Sequence, residues 1–324
     1  MDKGRFTDHD WQNYSSAAQA KTIDQTFTRS SINKTTDPRT SFDPSTIAVR
    51  ESRDSDLFPN STPIILAFDV TGSMGGIPYY FVQEGLGTLM KEIFDRKPVS
   101  DPQIMCMAVG DARTDRAPLQ VTQFETDIRI AKQLEDLYLE GHGGGNHGES
   151  YNMPWYFAAT KTSTDNFEKR GKKGLLFTIG DEPPIKLLEK EHIEQFIGAD
   201  ATRDLTSQEV LEMVRKQYDV YHVVVEQGDG LADYGRQAVV GEWNKLLGEG
   251  HVLLLSDYTK LSELIISAIQ RNAGVDHDAV VNSWSGDTRL VVANAFQKAV
   301  VPTSQRPGGG RSGLVRLPSA PMVA

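Results

Sequence analysis

Asp69, Thr71 and Ser73 stand at alternate positions just where an apolar run of the chain stops. One carboxylate and two hydroxyls are hard donors. They suit a small divalent cation, Mg²⁺ or Mn²⁺, better than zinc or copper, which favour His and Cys. A hexacoordinate Mg²⁺ needs more donors than one loop offers, with water filling part of the shell. Two later stretches are placed to contribute. Asp181-Glu182-Pro183-Pro184 follows a second apolar run and offers two carboxylates. Gly141-His142-Gly143-Gly144-Gly145-Asn146-His147-Gly148-Glu149-Ser150 is glycine-rich enough to let backbone approach a ligand closely.

The elements that must position these groups can be read around them. Pro63-Ile64-Ile65-Leu66-Ala67-Phe68 is an unbroken apolar run ending in polar and Gly residues. It reads as a parallel strand buried on both faces, and the loop at its carboxyl end is where open α/β sheets bind ligands. Further strands are expected at 103–109, 174–180, 219–225 and 251–255, with a weaker one at 119–124. Helical patterns lie near 77–94, 127–138, 151–163, 208–217, 234–247 and 257–271. This alternation predicts an α/β fold, a Rossmann-like open and mostly parallel sheet with helices on both faces. Gly110-Asp111-Ala112-Arg113-Thr114-Asp115 is too short to carry a crossover helix. Strands 103–109 and 119–124 therefore form an antiparallel hairpin at the edge, and right-handed crossovers give the order 3-2-1-4-5-6.

Residues 1–60 are polar and read as an N-terminal arm, in which Trp11 and Phe27 are candidates to dock on the domain. The main domain is expected over 61–272 and a C-terminal extension over 273–324. Within that extension Leu290, Val291, Phe296 and Val300 suggest one more helix, before a Gly/Pro/Ser-rich end. No internal repeat is present.

The 324 residues are 39% hydrophobic and carry a formal net charge of -10, which disfavours a nucleic-acid or anionic-membrane surface. The single cysteine, Cys106, sits in an apolar run and is expected to be a buried thiol, so no disulfide framework forms within the chain. No run approaches the ~18 apolar residues of a membrane span, and Met1-Asp2-Lys3-Gly4-Arg5-Phe6 lacks a signal-peptide core. A cytoplasmic setting is the expectation.

The run Asp69-Val70-Thr71-Gly72-Ser73 resembles the metal-ion-dependent adhesion site (MIDAS) of von Willebrand factor A (vWA) domains. That family carries Asp-x-Ser-x-Ser there, and Thr71 keeps the hydroxyl with an added methyl. The resemblance covers roughly residues 60–272, with all three loops in order. It implies the edge hairpin and an acidic residue after the neighbouring strand, which Asp181 matches, with Glu182 the lesser substitute. It also implies a second metal loop at 141–150, where relatives place a Thr or a Gly-Gly-Gly-Asp run. No Thr is present, and Asn146 falls where that Asp would be; Glu149 and Ser150 remain candidates for the same position. By resemblance the chain is a divalent-metal-dependent protein-binding module that captures a partner's Asp or Glu. Such modules act as adaptors or scaffolds beside AAA+ ATPases or within large assemblies.

Other chemistries fit less well. The motif also echoes haloacid-dehalogenase-like phosphatases, with Asp69 as nucleophile. Those need a second carboxylate at position 71, where Thr71 cannot titrate near neutral pH. A serine-hydrolase elbow, a phosphate-binding P-loop and a dinucleotide fingerprint are all absent. His142 and His147 have no helical-spaced partner and read as exposed loop residues rather than zinc ligands. The alternatives left open are a phosphohydrolase and a structural assembly component with an unoccupied site.

Overall fold

The computed structural model describes residues 8–27, 42–139 and 148–296. Asn146, His142 and His147 lie outside them. The apolar runs assemble into a six-stranded sheet of β1 (Thr62–Asp69), β2 (Pro102–Val109), β3 (Leu119–Val121), β4 (Gly174–Gly180), β5 (Tyr218–Val225) and β6 (Val252–Leu255). Its order is β3-β2-β1-β4-β5-β6. All neighbours pair in parallel except β2 and β3, the antiparallel edge hairpin. This is the expected 3-2-1-4-5-6 order of a Rossmann-like, mostly parallel sheet with helices on both faces.

Successive side chains of a strand point to opposite faces, and both faces here are covered. Ile64, Leu66 and Phe68 enter one core with Leu89, Ile93, Leu264 and Ile265 from helices Leu86–Arg96 and Leu261–Asn272. Ile65 and Ala67 enter the other with Trp155, Val210 and Trp243 from helices Asn152–Lys161, Ser207–Val214 and Arg236–Leu247. That double covering explains why β1 reads as a continuous apolar run rather than an alternating one. Cys106 is fully buried on β2. Trp155, Phe157 and Ala158 pack into the second core, with Ala159 against it.

Two local features depart from the sequence reading. The helical pattern near 77–94 is interrupted: Ile77–Tyr80 is α-helical, Phe81–Gly85 is a π-turn, and Leu86–Arg96 resumes the α-helix. The pattern near 151–163 stops at Lys161, because Thr162 and Thr164 are β-branched and Thr162–Thr164 pairs in parallel with Arg50–Ser52.

The N-terminal residues make specific contacts. Asp8–Gln19 is a helix that carries Trp11, and Phe27 is only 1% exposed in the first core. The Tyr14 hydroxyl donates to the Val82 carbonyl of the π-turn, and the Gln83 amide donates to the carbonyls of Ala18 and Lys21. Phe27→Ala removes a ring from a packed core and is expected to cost about 3 kcal/mol of unfolding free energy by urea titration. A loss within experimental error would mean that the segment is not held there. Further along, Gly286–Ala295 is the last helix among the described residues, which do not include Val300. Val291, Val292 and Ala295 point inward and Leu290 is exposed, so its buried stripe includes positions the sequence pattern missed.

Candidate metal centre

Parallel pairing brings the chemistry together. Phe68 of β1 lies opposite Ile179 of β4, so the two chains leave the sheet side by side, one at Asp69 and the other at Asp181. Both aspartates are fully buried. Asp69 Oδ1 accepts from the Thr71 backbone N–H at 2.9 Å and from Thr71 Oγ1 at 2.6 Å. Thr71 Oγ1 lies 3.4 Å from Ser73 Oγ, which donates to Asp181 Oδ1 at 2.9 Å. Asp69, Thr71, Ser73 and Asp181 thus form one connected array of oxygens. Simple helix capping does not account for it, because Thr71 caps the short turn Gly72–Met74 without a side-chain hydrogen bond.

The remaining lone pairs of the aspartates are fixed from behind. Tyr151 Oη donates to Asp69 Oδ2 at 2.7 Å, and the Gly230 backbone N–H donates to Asp181 Oδ2 at 2.8 Å. The Asp229 backbone N–H donates to the Ser73 carbonyl at 3.0 Å and anchors the first loop to the loop after β5. Gly228 is required there, since a Cβ would lie 2.2 Å from Asp181 Oδ2.

The second loop is described only from Gly148 onward. Ser150 Oγ accepts from the Ala112 backbone N–H at 3.0 Å. Glu149 is 1% exposed, and its Oε2 is buried without a hydrogen-bond partner. Glu182, although read as the lesser candidate beside Asp181, has the same feature at its own Oε2. Asp111 and Asp115 close the turn after β2, as expected, with Asp115 Oδ2 accepting from the Asp111 N–H at 2.7 Å.

Burial governs the electrostatics. It raises Asp69 well above the ordinary carboxylate range, and Asp181 adds to the shift. Burial likewise raises Asp181, against the opposing donors Gly230 and Ser73. Glu149 is pushed up by burial and then by Asp69 and Glu182. Glu182 rises to about 8, from burial first and then Asp69 and Asp181. Among the described residues none of these four carboxylates has an ion-pair partner. Removing like charges from water without a cation is costly, and protonation relieves the cost. Hard oxygens, two orphaned carboxylate oxygens and the lack of a paired cation all fit Mg²⁺ or Mn²⁺.

The sign of the pH effect follows. Glu182 keeps its proton in the folded state after the unfolded chain has released it, from about pH 4.5 up to its folded value near 8. The folded state then binds more protons, so stability present below that window is lost as pH rises through it. Buried His222 acts in the opposite sense: its lowered value costs stability only as pH falls below about 6.5. Between pH 6.5 and 8, in EDTA, stability is therefore expected to fall by up to about 1.4 kcal/mol per pH unit for each such carboxylate. Glu182→Gln should flatten its share in urea titrations. An unchanged slope would exclude this residue as a source.

No family model matches the chain, and no curated protein matches it. Solved structures similar to it include the pilus adhesin SpaC from Lactobacillus rhamnosus GG in its open conformation. That match has 9% identity and a TM-score of 0.46, covering 72% of this chain and 31% of the adhesin. A von Willebrand factor type A protein from Catenulispora acidiphila is 11% identical, with a TM-score of 0.36 and coverage of 67% and 44%. BatB from Bacteroides thetaiotaomicron is 11% identical, with a TM-score of 0.38 and coverage of 66% and 100%. The chain thus spans less than a third of the adhesin's length.

Proposed function

We propose that this chain is a divalent-cation-dependent protein-binding module, in which the crest of the sheet holds Mg²⁺ or Mn²⁺ and captures an Asp or Glu of a partner protein. The observation that carries this reading is the connected array Asp69–Thr71–Ser73–Asp181, backed by the orphaned carboxylate oxygens of Glu149 and Glu182. Asp69, Thr71, Ser73 and Asp181 would hold the ion. Asn146 or Glu149 would complete the set from the second loop, and the unpartnered Glu149 oxygen favours Glu149. The bound ion supplies a positive charge that can accept an external carboxylate in place of water.

The chain's own residues orient that exchange. Tyr151 and Gly230 fix the outer oxygens of the two aspartates, while the hydroxyls of Thr71 and Ser73 contribute donors without adding charge. Neutral donors leave the cation better able to attract a partner's acid. An adaptor or scaffold role beside an AAA+ ATPase or within a large assembly is the partner class that the resemblance implies. A cytoplasmic setting suits it. An Asp69 nucleophile suits the site poorly, because that carboxylate is fully buried with both oxygens hydrogen-bonded.

A pull-down from a lysate in Mg²⁺ and in EDTA tests the reading. Partners retained in Mg²⁺ and released in EDTA are expected, and equal retention in both buffers would remove the ion from the interaction. Among the described residues no helix is long and apolar enough to cross a membrane.

A further inference from the structure

A groove of about 440 Å³ opens directly beside Ser73, between the first metal loop, the start of the following helix and the loops after β5 and β6. Its walls include Tyr79, Tyr80, Gln227, Asp229 and Tyr258. Tyr80 and Tyr258 meet edge to face, with ring centroids 5.3 Å apart. The Tyr258 backbone N–H is anchored on Gln227 Oε1 at 2.6 Å, and Tyr79 is tied to the Lys21 carbonyl, so the aromatic wall is held in place.

The surroundings are acidic. Asp229 stands on the wall itself. Burial raises the Tyr80 phenol to about 12, and the carboxylates of Glu84, Glu263 and Asp257 all act on it in the same direction. Glu263 is 9% exposed, and its Oε2 has no hydrogen-bond partner. Against these charges, Lys260 acts on Glu263, and Lys21 is already paired with Glu135 at 2.7 Å. Ring faces set among carboxylates attract a guanidinium or ammonium group, whereas those carboxylates repel a second acid.

We propose that this groove receives a cationic side chain, an Arg or Lys that lies one to three residues from the acid meeting the ion in the same partner segment. The shared segment rests on the ion reading above, whereas the cationic subsite stands on the groove alone. Extended chain advances about 3.3 Å per residue, so a short spacing bridges two adjacent subsites. Arg suits the subsite better than Lys, because its planar, weakly hydrated group stacks on rings.

The experiment separates the two readings. The full chain is titrated with n-butylguanidinium, and with n-butanol as the neutral control, by amide NMR in Mg²⁺ and in EDTA. Acetyl-Glu-Gly-Arg-Gly-amide and its citrulline counterpart are then titrated by calorimetry in both buffers. Butylguanidinium is expected to shift the Tyr80, Gln227, Asp229 and Tyr258 signals saturably in both buffers, and butanol is not. Tyr80→Ala and Tyr258→Ala should each weaken it about two- to fivefold, the scale of one exposed cation–ring contact. Glu84→Gln, at an exposed position, should weaken it with both rings still present, since an amide can still accept from the Tyr80 phenol. The arginine peptide should bind more tightly than the citrulline peptide in Mg²⁺. No saturable shift in the groove, or equal affinity of the two peptides, overturns the subsite even where binding depends on Mg²⁺. Guanidinium binding with an arginine preference that is the same in EDTA supports the subsite and overturns the ion reading.

Discussion

Asp69→Asn is expected to stabilise the metal-free chain and to abolish its response to Mg²⁺. The two effects have opposite signs and one cause. In the absence of a cation, Asp69 is a fully buried carboxylate whose charge is disfavoured by burial and by Asp181. An amide of the same shape removes that charge while Thr71 can still donate to its oxygen and its NH₂ can donate to the Tyr151 hydroxyl, whose own proton loses its acceptor and so offsets part of the gain. With the cation present, the lost carboxylate is a lost ligand. At a Mg²⁺ concentration about 100-fold above its dissociation constant, the wild-type chain should gain about 2.7 kcal/mol, and the variant should gain none. Asp69→Ala should also lose the response, but it leaves the Thr71 and Tyr151 donors buried without an acceptor, at a further cost of about 1–3 kcal/mol. A full Mg²⁺ response in Asp69→Asn, measured by urea titration, would falsify the site.

The fold was largely legible because its signals are local. A continuous apolar run flanked by Pro and Gly can hardly be anything but a strand covered on both faces, and Ile64 to Phe68 divide between two cores as that requires. The edge hairpin followed from loop length, since six residues from Gly110 to Asp115 cannot carry a crossover helix. The hydrogen-bonded grouping of Asp69, Thr71, Ser73 and Asp181 follows from the same signals, because each sits at or just beyond a recognisable strand end.

What stayed hidden depends on tertiary juxtaposition. Tyr151 opens a helix that reads as core packing. Its contact with Asp69 joins residues 82 positions apart, so no local pattern could mark it. The unpartnered oxygens of Glu149 and Glu182 are visible only once their neighbours are placed. The docked helix Asp8–Gln19 escaped for another reason: its residues DHDWQNYSSAAQ carry no strong apolar stripe, and its hold on Val82 and Gln83 is made largely by hydrogen bonds. Much the same holds for the π-turn at Phe81–Gly85. The Tyr14 hydroxyl bonds the Val82 carbonyl within that turn, and residue periodicity does not report such a contact.

Gly180→Ala offers the second large effect, since it tests whether the buried tyrosine is fixed as tightly as the site requires. A Cβ at position 180 would lie 1.9 Å from Tyr151 Oη and 2.6 Å from its Cζ. The strand cannot easily yield, because β4 is paired with both β1 and β5 and Gly180 is in register with Val224. The ring has little room either, being fully buried with its edge toward His222 at 5.2 Å and Trp243 at 5.5 Å between centroids. The substitution should therefore cost about 3 kcal/mol, the upper part of the overpacking range. It should also weaken the Mg²⁺ response, because Asp69 Oδ2 loses the donor that orients it. A double-mutant cycle isolates the cause. In a Tyr151→Ala background, itself expected to cost about 3–5 kcal/mol, the added methyl has nothing to strike and should be nearly neutral. Additive losses in the double variant would place the damage in the strand itself, and the fixed tyrosine would then no longer explain why glycine stands at that position.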